Sequence, residues 1–510
     1  MATRREVVAG GLAASAASLA GMAQARPAAM PGGKAGTDVL ASYDAVGLAE
    51  LVRRRKVSPT ELLDAAIAKA EALNPRFNFM AQKHYDYARK AIAQGLPDGP
   101  FTGVPWLLKD LYTYIEGELT EGGSRLYKGY RATVTSELVR RHQRAGFVIF
   151  GKTSTPEYGL TGTTENKLTG DTRNPWNPAH STGGSSGGAA AAVASCVVPA
   201  AHASDGGGSI RIPSSCCGLF GMKPSRGRVP MGPLRTEGWG GLSTNHAITR
   251  SVRDSAAILD ATHGVEPGSR YGAPSPREGF LAQVGKHPGR LRVALMTRPI
   301  SGSPVDRQCI EAAQATARLC ESLGHHVEEA NLELDAAMLG WASFVLIGPS
   351  LAADMADRAK VLGITPGPDV LEPISLAFAE YGKAFTAVDS VRANNLLQET
   401  AVKVAAFMQK FDVILTPTLA APPIKLGRIN LTPDCGFQEW GQRAAVYSPF
   451  CQLANLTGQP AMSVPLSMSE DGLPIGSMFF GRYGDEALLF RLAGQLERAA
   501  PWFDKRPNLA

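Results

Sequence analysis

Short apolar runs alternate with longer amphipathic stretches along most of this chain. Five of the runs have the length and composition of buried β-strands: 104–108, 147–150, 197–201, 291–296 and 413–416. Helix-like segments lie among them, at 136–145, 188–195, 309–323 and 387–411. Strands and helices that alternate in this way are typical of an α/β fold whose sheet is largely parallel and buried on both faces.

The first clear amphipathic helix begins near Ser58. Ser58 suits an N-cap, Pro59 suits the first turn, and Glu61 lies close to the positive end of the helix. Because proline breaks a helix interior, Pro75 predicts that this helix ends before Asn74. No linker-like stretch interrupts the chain farther on. We therefore expect one large domain over 41–510, with a helical insertion at about 335–410.

The extreme N-terminus has the pattern of a targeting segment. Arg4 and Arg5 precede a weakly apolar run, and a small-x-small cleavage site follows it. We interpret 1–25 as a twin-arginine signal peptide and 26–40 as a linker, and we expect export to the periplasm. The alternative is a flexible terminus on a cytoplasmic protein. No later stretch reads as long and apolar enough to anchor the chain in a membrane.

Composition narrows the function classes. The chain has 52 basic and 46 acidic residues, and a net charge of +6 over 510 residues is too small to indicate a nucleic-acid partner. The seven cysteines include no CxxC pair, which argues against a zinc site and a disulfide framework. We expect no metal, no cofactor and a small-molecule partner, and a homodimer is compatible with the sequence.

Two glycine-rich segments carry the densest set of reactive side chains. They read STGGSSGG at 181–188 and SDGGGSIR at 204–211. Glycine lets a ligand approach the backbone closely, so the N–H groups of Gly206, Gly207, Gly208 and Ser209 suit an oxyanion hole. A hydroxyl nucleophile would then lie beside it. The alternative is a pair of flexible glycine loops.

A serine nucleophile needs a base, and three interpretations compete. The GSSGG match to a nucleophile elbow would make Ser186 the nucleophile, but the proline-broken stretch at 174–180 cannot be the buried strand that an elbow requires. His202 is one candidate base, although a lone histidine at a strand end is more often structural. Lys109 is another candidate, because it ends an apolar run where burial favours the neutral amine. The residue types alone leave this choice open.

Several motifs, in one order, resemble those of the amidase signature family. They are GVPWLLKD at 103–110, GGSSGG at 183–188, DGGGSIRIPS at 205–214, GMKPSRG at 221–227, LTPT at 415–418 and NLTGQPA at 455–461. The resemblance spans nearly the whole chain after the N-terminal segment, with a signature core at about 100–230. It implies an α/β/α sandwich around a large, mixed, mostly parallel twisted sheet, to which the helical insertion is added.

Through this resemblance, Lys109, Ser185 and Ser209 take the positions of the family's Ser-cisSer-Lys triad. The family pattern implies that Ser209 attacks an amide carbonyl and becomes acylated. It also implies that Ser185 relays the proton, that Lys109 is the base, and that the peptide bond before Ser185 is cis.

Three residues that flank the nucleophile complete the predicted site. We interpret Asp205 and Arg211 as an ion pair that supports the glycine turn rather than as catalysts. Many family members have a bulkier apolar residue at the position of Gly206. We expect the extra glycine to loosen the turn without removing an N–H donor.

Within the family the chain is most similar to the 6-aminohexanoate cyclic-dimer hydrolase group. The matching runs belong to the scaffold and the active site, so we expect the residues that select a substrate in the insertion at 337–385 and in the loop at 230–247. The insertion is rich in Leu, Phe, Ala and Met, which suits an aliphatic or aryl amide better than a charged peptide. Trp341 and Tyr381 are either walls of the pocket or part of the helix core.

Three functions follow from these observations. The first is a stand-alone amidase, a hydrolase of carbon–nitrogen bonds other than peptide bonds. The second is the amidotransferase subunit that liberates ammonia from glutamine, which would need cytosolic partner subunits, so the export signal argues against it. The third is a non-catalytic periplasmic binding protein, which would need neither the lysine nor the two glycine-framed serines.

Overall fold

Two β-sheets organise the part of the chain that the computed structural model describes, residues 38–509. Residues from Val39 onward form one compact unit. The predicted signal peptide at 1–25 and most of the predicted linker at 26–40 lie outside the described residues. The strands of the described part are β1 (Met80–Lys83), β2 (Pro105–Lys109), β3 (Val148–Thr153), β4 (Ala200–Asp205), β5 (Phe220–Lys223), β6 (Thr244–Thr249), β7 (Arg292–Leu295), β8 (His326–Glu329), β9 (Val413–Pro417), β10 (Ala461–Met468) and β11 (Pro474–Phe480).

Helices cover both sheets and fill the long connections. Those of the described part are α1 (Val39–Ser42), α2 (Ala45–Arg53), α3 (Pro59–Phe77), α4 (Tyr85–Gln94), α5 (Glu137–Arg144), α6 (Gly187–Ala194), α7 (Arg211–Cys217), α8 (Val252–Thr262), α9 (Leu281–Val284), α10 (Arg307–Ser322), α11 (Ala336–Leu362), α12 (Pro373–Gly382), α13 (Ala387–Phe407), α14 (Phe437–Tyr447), α15 (Gln452–Thr457) and α16 (Glu486–Ala499). Short 3₁₀ turns occur at Arg125–Tyr127, Glu157–Gly159 and Trp239–Gly241.

The larger sheet confirms the predicted α/β class and its mixed character, but most of its neighbours are antiparallel. Its order is β4-β6-β5-β10-β11-β9-β7-β8, and only β9–β7 and β7–β8 are parallel pairs. The smaller sheet has the order β1-β3-β2, with β2 parallel to β3. The prediction of a mostly parallel sheet was therefore wrong. Strands β10 and β11 show the reason, because they form a hairpin over a short turn without a helical crossover.

Local patterns located the elements well. Each predicted strand and helix named above has a counterpart whose ends lie within a few residues of the prediction. The exception is α3, which continues through Pro75 to Phe77. Pro75 lies in the last turn, where few backbone bonds depend on it, and Asn78 ends the helix in the left-handed conformation (φ 51°) while its N–H bonds the Asn74 carbonyl at 2.7 Å.

Three helices, α11, α12 and α13, occupy the region predicted as a helical insertion. Helix α11 packs against both α12 and α13 around an apolar cluster that includes Leu346, Ile374 and Leu397. By length and composition α11 could cross a membrane, so the expectation that no later stretch has these properties was wrong. In the structure much of α11 is buried within this cluster, and the helix also borders the cavities described below.

Candidate active site

Lys109 ends strand β2 beneath the predicted nucleophile segment. Its side chain is fully buried, because β2 lies between β3 and the buried helix α6. The Nζ atom lies 2.7 Å from Ser185 Oγ and 3.0 Å from Ser204 Oγ. Among the described ion pairs, none includes Lys109. The amine therefore has hydroxyl partners on two sides and no carboxylate in contact.

Burial sets the protonation state of this amine. Loss of solvent lowers the pKa of Lys109 to about 7, while the negative charge of Asp205 acts in the opposite direction. Since an exposed lysine has a pKa of about 10.4, a large fraction of Lys109 is neutral near pH 7. This confirms the expectation that burial at the end of β2 favours the neutral amine.

Ser185 lies on the turn that leads into α6, next to Lys109. The peptide bond between Gly184 and Ser185 is cis, as the family resemblance implied. The turn is tight, since a Cβ on Gly184 would lie 2.3 Å from the Thr163 carbonyl oxygen. Only glycine fits at position 184, so the glycine of the GGSSGG motif allows the tight turn that brings Ser185 next to Lys109.

Ser209 follows strand β4 and precedes α7, which begins at Arg211. About 9% of its surface is exposed, and it borders a cavity. Among the hydrogen bonds of the described residues, none uses the N–H group of Gly206, Gly207 or Ser209. These three N–H groups are available to an oxyanion.

Gly208 does not fit its predicted role as an oxyanion donor. Its N–H donates to Asp205 Oδ1 at 2.8 Å, and the Ile210 N–H donates to Asp205 Oδ2 at 3.2 Å. The φ of Gly208, +132°, turns its N–H toward the carboxylate. The sequence showed three adjacent glycines, but it did not show that one N–H would be used to hold the turn.

Asp205 and Arg211 form the predicted ion pair, and both side chains are fully buried. Arg211 donates to both carboxylate oxygens, at 2.9 Å each. The Arg211 guanidinium and several hydrogen bonds hold the pKa of Asp205 well below its usual range, against the cost of burial. Asn455 completes the network, since its amide donates to Asp205 Oδ1 at 2.9 Å and its oxygen accepts from Arg211 at 2.7 Å.

The structure brings Ser185 and Ser209 to the same cavity, but in the described part of the chain no hydrogen bond joins their hydroxyl groups. The contact from Lys109 to Ser185 is thus formed, and the contact from Ser185 to Ser209 is not. Ser209 has no side-chain partner among the described hydrogen bonds. Its hydroxyl is therefore not held away from Ser185 by a competing bond.

The two other candidates from the sequence have structural roles. His202 Nδ1 accepts the Lys109 backbone N–H at 3.2 Å, and Nε2 faces Asn245 Oδ1 at 3.3 Å. Burial holds the pKa of His202 well below its usual range, so the ring is neutral and both nitrogens are occupied. Ser186 is fully buried and donates to the Ser204 carbonyl at 3.2 Å.

Two cavities meet at Ser209. The larger has a volume of about 780 Å³ and includes Ser185, Ser204 and several tyrosines in its wall. The smaller has a volume of about 230 Å³ and is lined mainly by apolar side chains, among them Phe344 and Phe378. Both the loop at 230–247 and the insertion contribute to these walls.

Two aromatic residues predicted as alternatives for the pocket wall line neither cavity. Trp341 packs in the apolar cluster of the insertion, and Tyr381 is about 50% exposed beside Phe344, Phe385 and Phe437. The interpretation as helix core therefore holds for Trp341. The insertion reaches the cavities through other residues.

Trp239 borders the glycine turn at Ser209, and the sequence pattern did not single it out within the loop at 230–247. Its ring lies over Gly206, so that a Cβ on Gly206 would be 2.6 Å from the ring atom Cζ3. The expectation that Gly206 loosens the turn was wrong, because Trp239 fills the space that a side chain at 206 would take. Two features of the sequence could have indicated this contact. One is the extra glycine at Gly206, and the other is a tryptophan within the glycine-rich loop at 230–247.

The arrangement defines a class of site. A buried lysine with a lowered pKa contacts the Ser185 hydroxyl, and Ser209 borders the same cavity as Ser185, beside backbone N–H groups that have no partner among the described hydrogen bonds. Such a constellation suits acyl transfer by a hydroxyl nucleophile. Comparisons with known proteins agree with this class.

The model of the Amidase family matches residues 61–490, and the chain belongs to this family. It is 37% identical over 483 residues to the 6-aminohexanoate-cyclic-dimer hydrolase of Paenarthrobacter ureafaciens, with coverage of 91% of this chain and 96% of the relative. A solved structure of 6-aminohexanoate cyclic dimer hydrolase complexed with substrate has a TM-score of 0.88 and 36% identity, covering 92% of this chain and 99% of that chain. A bacterial aryl acylamidase of the amidase signature family has a TM-score of 0.81 and 28% identity, covering 91% and 99%. The protein is an amide hydrolase.

Proposed function

We propose that this protein hydrolyses small amides through an acyl-enzyme on Ser209, with Ser185 as the proton relay and Lys109 as the base. The single observation that carries this proposal is the 2.7 Å contact between Lys109 Nζ and Ser185 Oγ in a fully buried site. A substantial fraction of the Lys109 amine is neutral near pH 7, since burial lowers its pKa to about 7. A neutral amine can accept a proton, whereas an ammonium group cannot.

The reaction begins when Lys109 accepts the proton of Ser185 and Ser185 accepts that of Ser209. The Ser209 oxygen then bonds to the amide carbon, and the carbonyl electron pair becomes an oxyanion. The N–H groups of Gly206, Gly207 and Ser209 stabilise this charge, and loss of such a donor costs about 3–4 kcal/mol in other enzymes. The second proton transfer requires the Ser209 hydroxyl, which has no partner among the described hydrogen bonds, to come within hydrogen-bond distance of Ser185 Oγ.

The carbon–nitrogen bond breaks next, and the proton returns through Ser185 to the leaving amine. Water then attacks the ester on Ser209, with its proton taken up by the same relay. The acid product leaves and the serine regains its proton. Asp205 and Arg211 take no proton in this scheme, because each is held in its charged form by the other.

We propose small aliphatic or aryl amides as the substrate class, with the 6-aminohexanoate cyclic dimer among the compounds to test. The similarity to a hydrolase of that dimer and to an aryl acylamidase supports this range. The mostly apolar wall of the smaller cavity supports it further, since such a surface favours an uncharged group.

The test combines a nucleophile variant with detection of the intermediate. Ser209→Ala should lower kcat/KM toward an anilide by about 10⁴-fold or more. The wild-type protein, quenched during turnover, should carry the acyl mass on the peptide that contains Ser209. Ser195→Ala is the control, because Ser195 is also a buried serine but follows the last residue of α6 and lines neither cavity. Retained turnover in Ser209→Ala would contradict the mechanism, and ammonia release from glutamine alone would favour the amidotransferase activity.

A further inference from the structure

Trp239 lies at the junction of the two cavities. It is the first residue of the 3₁₀ turn Trp239–Gly241, in the loop between β5 and β6, and its φ is +51°. One side of the ring covers Gly206, and the residue also packs in the apolar cluster of the insertion. The turn itself fits closely against α11, since a Cβ on Gly240 would lie 3.1 Å from a methyl group of Leu346. The tryptophan is thus held between the oxyanion turn and the insertion.

The walls of the two cavities share few residues near the reacting atoms. Gly159, Gly206, Ser209 and Trp239 belong to both. Ser185 and Ser204 line only the larger cavity, and Gly207 lines only the smaller one. A carbonyl bound at Ser209 would therefore have one substituent toward the relay serine and the other away from it.

Proton transfer decides which substituent goes where. The leaving amine must receive its proton from Ser185, so it has to lie on the side of Ser185. That side is the larger cavity, of about 780 Å³, with Tyr112, Tyr114, Tyr127 and Tyr130 in its wall. The acyl group is left with the smaller cavity, of about 230 Å³, which Phe344, Phe378 and Ile347 enclose.

We propose that Trp239 is the specificity-determining residue that separates an acyl pocket, the smaller cavity, from an amine pocket, the larger cavity. The substrate class is then an open-chain amide with a compact apolar acyl group and a larger, aromatic-compatible amine. This assignment rests on the proposed acyl-enzyme reaction at Ser209.

The test measures kcat/KM for two series of amides, p-nitroanilides of increasing acyl length and acetamides of increasing amine size. In the wild-type protein the value should fall once the acyl chain exceeds the acyl pocket, and each methylene that a pocket rejects changes it by about 10- to 200-fold. In Trp239→Ala the long-acyl substrates should gain at least tenfold relative to acetyl-p-nitroanilide. The order of the amine series should not change. Trp341→Ala is the matched control, since Trp341 lines neither cavity.

A second variant keeps the test valid if Trp239→Ala does not fold. Gly340 lies on α11 in the wall of the acyl pocket, and a Cβ there would meet no atom within 4 Å. Gly340→Val should therefore fold, shorten the acceptable acyl chain by one or more carbons, and leave the amine series unchanged.

These assays distinguish a wrong assignment of the pockets from a wrong mechanism at Ser209. If Trp239→Ala or Gly340→Val changes all substrates by one factor, or changes the amine series instead, the assignment of pockets is overturned while the Ser209 chemistry stands. If Ser209→Ala keeps its activity on these anilides, the proposed mechanism fails and the pocket assignment fails with it.

Discussion

Two buried lysines on paired strands show how neighbours divide roles between like residues. Lys109 on β2 and Lys152 on β3 are both fully buried, and burial lowers the pKa of Lys109 to about 7 and that of Lys152 to about 8. The side-chain amine of Lys109 has only hydroxyl groups as hydrogen-bond partners among the described residues. Lys152 lies 3.8 Å from Asp110 Oδ1 and donates to Thr120 Oγ1.

The two lysines differ in whether a neighbouring carboxylate loses its counter-charge when the amine is deprotonated. If Lys152 lost its proton, the buried carboxylate of Asp110 would remain without a counter-charge, and burial already raises the pKa of Asp110. Deprotonation of Lys109 leaves no carboxylate without a counter-charge, because Asp205 is already paired with Arg211. Burial therefore lowers the pKa of both lysines, but of these two only Lys109 can lose its proton without leaving a contacting carboxylate unpaired.

Removal of each amine in turn should have the largest effect and tests the two roles directly. Lys109→Met should lower kcat/KM by about 10²- to 10⁴-fold, the usual contribution of a general base, while the protein stays folded because no buried charge loses its partner. Steady-state kinetics and urea unfolding on the same preparations would show this. A large loss of stability with normal kcat/KM would place Lys109 in a structural role instead.

The reverse outcome is expected for Lys152→Met. The substitution leaves Asp110 buried without its cation, and breaking a buried pair in this way costs about 3–5 kcal/mol in the free energy of unfolding. Activity per folded molecule should change little, since Lys152 does not line either cavity. The double variant Lys152→Met/Asp110→Asn should recover much of the stability, and no recovery would argue against the ion pair as the cause.

The pH dependence of kcat/KM shows which of the two amines titrates in the reaction. Only neutral Lys109 accepts a proton, so kcat/KM should fall about tenfold per pH unit below the lysine pKa of about 7 and level off above it. The acidic limb should be absent from the residual activity of Lys109→Met. It should persist in folded Lys152→Met at pH 6–8, and its loss there would show that Lys152 titrates in the reaction.

The smallest expected effect comes from the hydroxyl groups beside each lysine. Ser204 Oγ accepts a hydrogen bond from Lys109 Nζ at 3.0 Å, which helps to hold the amine beside Ser185. One hydrogen bond is worth about 0.5–1.5 kcal/mol, so Ser204→Ala should lower kcat/KM only a few-fold. Thr120→Val beside Lys152 is the matched change and should reduce stability by a similar energy without affecting kcat/KM. Equal kinetic effects in the two variants would contradict this division of roles.

The candidate residues of the site were predictable because they lie in short segments with strong local requirements. Ser185 and Ser209 stand in glycine-rich turns, and Lys109 ends an apolar strand. Ser204, Trp239 and Asn455 received no role from the sequence, although Ser204 and Asn455 begin two of the motifs, because their partners lie far away in the chain. Asn455 lies 250 positions from Asp205 in the chain, and only folding brings the two side chains together.

The sequence by itself determined the α/β class and the position of most helices and strands, and its resemblance to the family selected Lys109, Ser185 and Ser209 as the candidate catalytic set. These features depend on short-range periodicity, turn chemistry and motif order, which neighbouring residues specify. The tertiary structure alone decided which way the strands pair, which glycine N–H groups lack a partner, and which of Lys109 and Lys152 lies beside a carboxylate. It alone also placed Trp239 in the walls of both cavities. Each of these outcomes depends on contacts between distant segments, because packing and burial are properties of the assembled core rather than of any local stretch.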